Sequence, residues 1–212
     1  MVFYFTCQSK PDLAQKYIIY MGRDKFENEA LIHNGWPEDL WFHVDDLSSA
    51  HVYLRLPRGE TFESVPEEVV EECASLVKAN SIKGCKMSET KIVYTPWENL
   101  KKTADMVVGQ IGYHNHKRCK YICVKKNADI VKKIEKTRSE DLSPDLQAER
   151  LARDAEVLAE QKAAAKKEAE EQKLFKLKCE QEKYAKSYDR LFDDEPARTT
   201  NQESENDSDD FM

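Results

Sequence analysis

The sequence predicts an α+β domain over residues 1–127, a long charged helix or coiled coil over 128–190 and an acidic tail over 191–212. Three observations carry that reading. Strand-like runs come in pairs with two helical stretches among them, not in a regular βαβ series. All three Trp and six of the seven Pro precede residue 145, where a packed domain needs them. Beyond that point the chain is mostly Ala, Glu, Lys, Gln and Arg, and finally acidic.

In chain order, Val2–Thr6 and Tyr17–Met21 are aromatic and β-branched, and read as two antiparallel strands around the polar loop Cys7–Lys16. Gly22 lets the backbone leave the strand, and Asp24 is placed to cap a helix over Lys25–His33. Phe26, Ala30 and His33 have helical spacing there, and Asn34-Gly35 ends it.

Asp39–Leu56 reads as a hairpin. Leu40, Phe42 and Val44 alternate with Trp41 and His43; after the polar turn Asp45–Ala50, Val52, Leu54 and Leu56 alternate with His51, Tyr53 and Arg55. Successive strand side chains point to opposite faces, so one face is aliphatic and the other carries aromatic, imidazole and guanidinium groups. The aliphatic face suits a core. The second is either a surface that stacks bases or the other buried side of a covered sheet.

Pro57-Arg58-Gly59 turns the chain, and Pro66–Ala79 is an amphipathic helix with Val69, Val70, Cys73, Leu76 and Val77 on one stripe. Asn80–Lys86 leaves it and Lys91–Thr95 is another strand. Trp97–Asp105 is a polar connection; Gln110–Tyr113 and Lys120–Val124 read as a final strand pair. Ile130 and Ile134 begin a helix that breaks at Ser143-Pro144 and resumes by Ala148. Glu–Lys pairs abound in it, but the heptad step from Leu151 to Leu158 continues to Ala165 and Gln172. That pattern fits a solvated helix better than a self-pairing coil. The tail from Asp193 has the composition of a disordered segment, with Ser204 and Ser208 beside acids as candidate phosphorylation sites.

The net charge of −7 conceals a change of sign along the chain. Met1–Ser75 has 6 Lys/Arg against 14 Asp/Glu, whereas Leu76–Asn127 has 11 against 3. A basic segment in an acidic protein predicts one electropositive side, suited to phosphates or an acidic partner. The six cysteines form no secretory framework and the start has no cleavable hydrophobic run, so reduced thiols and a soluble cytoplasmic protein are expected, with the nucleus or a membrane surface as alternatives.

His43 and His51 with Asp45 and Asp46 resemble an acid–base pair. However, no Gly-flanked Ser, Cys–His–Asn set or glycine-rich phosphate loop accompanies them, and no enzyme is expected. Cys119 and Cys123 with His114 and His116 resemble metal ligands, but a strand would hold the thiols apart with Tyr121 between, so neither metal nor cofactor is expected. Nucleic-acid binding has more support. Lys83, Lys86, Lys101, Lys102, Lys117, Arg118 and Lys120 are interleaved with Tyr94, Trp97 and Tyr113, pairing phosphate neutralisation with stacking surfaces. Arg23 and Lys25, on the turn before a helix N-terminus, either grip phosphates beside its amides or are solvated charges paired with Glu27 and Glu29.

The stretches GRDKFENEALIHNGWPEDLWFHVDDLSSAHVYLRL, KANSIKGCKM and VYTPWENLKKTADMVVGQIGY resemble the NFACT-R domain family. The family's pattern falls on Gly22-Arg23-Asp24, on Asn28-Glu29-Ala30-Leu31, on Asp39 to His43 and, more loosely, on Ser49-Ala50-His51-Val52. The resemblance implies a single globular NFACT-R-like α+β domain that binds RNA without catalysis. It strengthens the nucleic-acid reading of Arg23, Lys25, His43, His51, Lys101 and Lys102; on that reading Trp41, Tyr53 or Trp97 is available for stacking. The expected partners are nucleic acid, RNA before DNA, on the basic face and a protein on the 128–190 helix. A protein-interaction adaptor working through that helix is the alternative.

Overall fold

The protein, seen in a computed structural model, is described at residues 1–8 and 17–186; the expected disordered tail and its two serines lie outside them. The strands are β1 Val2–Thr6, β2 Ile18–Gly22, β3 Asp39–Val44, β4 Val52–Arg55, β5 Glu89–Pro96, β6 Leu100–Lys101, β7 Gly112–Tyr113, β8 Lys120–Lys125 and β9 Ser139–Asp141. The helices are α1 Lys25–His33, α2 Glu67–Ala79, α3 Ala128–Glu135 and α4 Leu146–Lys186. The fold is α+β. Seven strands form one sheet in the order β8-β5-β3-β4-β2-β1-β9, antiparallel throughout, while β6 and β7 pair separately.

The central hairpin sets both faces. Its register pairs Leu40 with Leu54, Trp41 with Tyr53 and Phe42 with Val52, so the sequence alternation is kept across β3 and β4. Leu40, Phe42, Val44, Val52 and Leu54 pack with Val69, Val70, Cys73, Leu76 and Val77 of α2 and with Ile134 of α3. On the opposite face Tyr20, Trp41, Tyr53 and Val93 pack with Leu31 of α1 and with partly buried Leu100 and Tyr113 of the β6–β7 pair. The second hairpin face is therefore covered by other elements rather than presented to solvent.

At the sheet's far end Asp39 is fully buried and accepts from Tyr20 Oη (2.6 Å), Trp36 N (2.7 Å) and Arg55 Nε (3.0 Å). The Arg55 guanidinium lies 3.7 Å from the Trp36 ring centroid. This carboxylate holds two strands and the approach to β3 together.

One strand pairing departs from the sequence reading. β7 pairs with β6, and β8 lies along the edge of β5 instead of pairing with β7. Asn99 is the reason: its side chain donates to Asn115 O (2.9 Å) and accepts from Asn115 N (2.8 Å), turning the chain away between the two strands. In α1 the buried residues are Asn28, Leu31 and Ile32, whereas Phe26 is 65% exposed. Between residues 128 and 186 the chain forms α3, β9 and α4, with α4 starting just past Ser143-Pro144. α3 docks its fully buried Ile134 in the core, and β9 adds to β1. Arg150 of α4 donates to Gly35 O and Arg153 pairs with Glu38, and the compact unit runs from Met1 to Ala155 rather than stopping at 127. From Glu156 the helix is almost wholly exposed in its described part, with Leu158, Leu174, Phe175 and Leu177 among its exposed residues. Among the described residues no helix is long and apolar enough to cross a membrane.

Candidate nucleic-acid interface

The site is built on the turn from β2 into α1. A Cβ on Gly22 would stand 2.6 Å from Asn28 Oδ1, so only glycine lets the helix fold back this closely on the strand end. Asp24, extended at φ −142°, accepts from Phe26 N (2.9 Å) and Glu27 N (3.1 Å), capping the first turn. Those amide bonds, the Glu27 one foremost, hold its carboxyl below the usual range. Arg23 and Lys25 flank the cap and are both exposed. Arg23 is only loosely paired, 3.5 Å from Asp24 and 3.9 Å from Glu27, and Lys25 Nζ lies 5.2 Å from the Phe26 ring centroid.

Glu29, one turn into α1, ties a second segment to this turn. Its Oε2 accepts from Lys102 Nζ (3.0 Å) and from Gly109 N (3.1 Å). Burial raises the Glu29 pKa, but the Gly109 amide and Lys102 outweigh it and leave the carboxyl below its ordinary value. Lys102 also donates to Val107 O (2.9 Å) and Gln110 O (3.1 Å). One ammonium thus gathers the connection between β6 and β7, and Gly109 completes the turn at φ +84°. The expected phosphate ligand Lys102 is consequently a structural tie, its side chain 14% exposed. Lys101 beside it is exposed and has no ion pair among the described residues.

Trp41, His43 and His51 form a layer beneath. Trp41 stacks on His43 (5.3 Å, 4°) and meets His51 (81°) and Tyr113 (62°) edge-on. It is 2% exposed, and with every flank occupied it offers no ring face to a base, contrary to the expected stacking role. Tyr53 is fully buried as well, and Trp97 donates to Ile32 O (2.8 Å) with Arg150 lying 4.8 Å from its ring centroid. His43 Nδ1 donates to Val44 O (2.7 Å), and burial lowers its pKa. His51 is 3% exposed; burial, aided by His43, pushes its pKa down to about 3, so it is neutral at physiological pH and makes no charge contact. Asp45 pairs with Lys91 (2.7 Å) rather than with a histidine, and the acid–base pair suggested by the sequence is not assembled. Among the described residues no three His, Cys, Asp or Glu side chains gather as a metal would require.

The structure therefore sorts the candidates. Arg23, Lys25 and Lys101 are the exposed cations, Lys102 is the tie, and Trp41, His43 and His51 support the floor. Sequence reasoning missed Glu29, whose role depends on partners 73 and 80 residues away. It also gave no role to Phe26, which is the exposed aromatic beside the cations. The basic residues of Leu76–Asn127 do not share one side either: Lys101 belongs to the α1 face, while Lys78, Lys86, Lys125 and Lys126 lie on the α2 side.

Comparison with known proteins agrees with this fold. The family described as NFACT protein RNA binding domain matches residues 1–115. Coiled-coil domain-containing protein 25 of Bos taurus is 53% identical across 100% of both chains, and its homolog in Dictyostelium discoideum is 57% identical over 73% of this chain and 72% of its own. The C-terminal part of a fibronectin/fibrinogen-binding protein from Streptococcus suis shares the fold at a TM-score of 0.50 and 21% identity, over 62% of this chain and 48% of that one. The chain belongs to the NFACT RNA-binding-domain family.

Proposed function

We propose that the protein is a non-enzymatic, cytoplasmic nucleic-acid-binding module that takes RNA in preference to DNA. Arg23, Lys25 and Lys101 contact phosphates, and Phe26 supplies the stacking face that Trp41 cannot. The observation that supports this reading best is the Glu29 tie, which fixes the β6–β7 connection against the very turn that carries Arg23 and Lys25. Phosphate contacts set affinity and position, and a single aromatic favours unpaired bases without choosing a sequence. The family's description adds to it. His43, His51 and Lys102 serve this surface by shaping it.

The helix beyond Glu156 is proposed as a protein-binding arm, because Leu158, Leu174, Phe175 and Leu177 are exposed on it. The test uses the full chain with labelled single-stranded RNA, single-stranded DNA and duplex DNA, followed by anisotropy. RNA is expected to rank first. Arg23→Glu with Lys25→Glu should abolish binding to all three while partners captured by the helix remain. Binding that survives the double reversal would overturn the proposed face.

A further inference from the structure

On the α2 side of the sheet, away from the proposed RNA face, a cleft of about 430 Å³ opens between the C-terminal half of α2, the 3-10 turn Gly84–Lys86 and the junction of β8 with α3. Lys78, Lys86, Lys125, Lys126 and Lys132 line it. Exposed lysines on a surface are ordinarily solvated and mean nothing, but two buried groups here set the cleft apart. Lys78 is 3% exposed and its ammonium donates to Thr90 Oγ1 (2.8 Å). None of the five lysines has an ion pair among the described residues. Burial lowers the Lys78 pKa, and Lys126 acts in the same direction against the opposing pull of Glu89. Ser75, 2% exposed, also lines the cleft, and its Oγ has no hydrogen-bond partner. A buried cation and a buried hydroxyl are both costly unless something answers them.

We propose that this cleft is a binding site for a small phosphomonoester carried on an aliphatic or polyol body. The five ammonium groups suit a dianion better than a carboxylate, since lysine meets phosphate as a point charge. The Ser75 hydroxyl donates to a phosphate oxygen at the inner end. The remaining walls, with Ala79, Ala128 and Val131, contain no aromatic ring, so a nucleobase gains no stacking there while a short aliphatic or polyol chain fits. The volume falls within the range of small-molecule sites. A free metabolite and the headgroup of a phosphorylated lipid share this chemistry.

Cys85 lies on the wall and is partly exposed, which gives a local readout on the full chain. Alkylation of Cys85 by iodoacetamide, read on its own peptide by mass spectrometry, is followed with inorganic phosphate, inorganic sulfate, glycerol 3-phosphate, adenosine monophosphate and phosphatidylcholine vesicles with or without phosphatidic acid. Protection by glycerol 3-phosphate alone assigns the site to a soluble ligand; protection by phosphatidic acid vesicles assigns it to a headgroup. Lys126→Gln with Lys132→Gln, both exposed and therefore safe for folding, should abolish protection. Ser75→Ala should weaken it about tenfold, the worth of one hydrogen bond to a charged group. Protection by none of the phosphates, equal protection by sulfate and adenosine monophosphate, or protection that survives these variants would overturn the proposal.

Discussion

Removing the Glu29 carboxylate should free the β6–β7 connection from α1 without unfolding the domain. In Glu29→Ala both of its long-range hydrogen bonds, from Lys102 Nζ and Gly109 N, are lost. A hydrogen bond to a charged group contributes roughly 1.5–3 kcal/mol. Because the Glu29 side chain is 23% exposed and that of Lys102 14%, the lower end applies to each, and the two together give about 3 kcal/mol. Local opening of the connection then becomes about a hundredfold easier, since each 1.4 kcal/mol is a factor of ten. Amide hydrogen exchange reads this directly: the Gly109 amide should exchange about a hundred times faster, while core amides of β3 and β4 are unaffected. The same tie has a pH signature. The Glu29 pKa is depressed below 4.5, so the contribution is complete above that pH and is lost as pH falls through the lower folded-state value. Unchanged Gly109 exchange in Glu29→Ala would refute the argument that this carboxylate organises the site.

Other consequences follow from buried groups. Asp39→Ala strands the Arg55 guanidinium and the Tyr20 hydroxyl, and should cost about 3–5 kcal/mol, seen as a fall of roughly 10 °C in Tm; a shift of a degree or two would show that the network is dispensable. A Cβ at Gly35 would meet Trp97 Nε1 at 2.1 Å. Gly35→Ala should therefore break the indole bond to Ile32 O and destabilise by about 1–3 kcal/mol in denaturant titration, and wild-type stability would contradict that packing. His51 has a folded pKa of about 3 against an ordinary 6.5, so the unfolded chain binds the extra proton between those values. Stability should fall by up to about 1.4 kcal/mol per pH unit as pH drops through that window, and His51→Leu should flatten the slope; an equally steep slope in the variant would place the titration elsewhere.

How much of this was legible follows from what each residue's role depends on. The hairpin faces could be read from residues 40 to 56 because a period of two needs only local alternation, and Asp24 could be read as a cap because its partners are two and three residues away. The burial of Trp41 depends on what covers it: Tyr113 lies far along the chain, and whether an aromatic strand face meets solvent or another element is not encoded in the strand. Lys102 looked like Lys101 for the same reason. Two adjacent lysines are equivalent until a carboxylate and two carbonyls claim one of them. The helix α1 was legible from its spacing, but its buried face was not, because Asn28, a polar residue, takes the buried position against Gly22 and leaves Phe26 outside. Charge by segment located the basic stretch but could not divide it, because between Lys86 and Lys125, which share the α2 side, the chain crosses to the α1 face at Lys101 and returns.

The central claim rests on three cations. The most direct measurement is anisotropy of a labelled single-stranded RNA with the full chain across a salt series, comparing Arg23→Glu/Lys25→Glu/Lys101→Glu with the charge-matched Lys162→Glu/Lys166→Glu/Lys173→Glu on the helix. The account predicts that the first variant loses binding at all salt concentrations. The second should retain the wild-type slope of log affinity against log salt, about −2 for three contacts to a single strand. Equal losses in the two variants would mean that overall charge, not this face, holds the RNA, and would contradict the account.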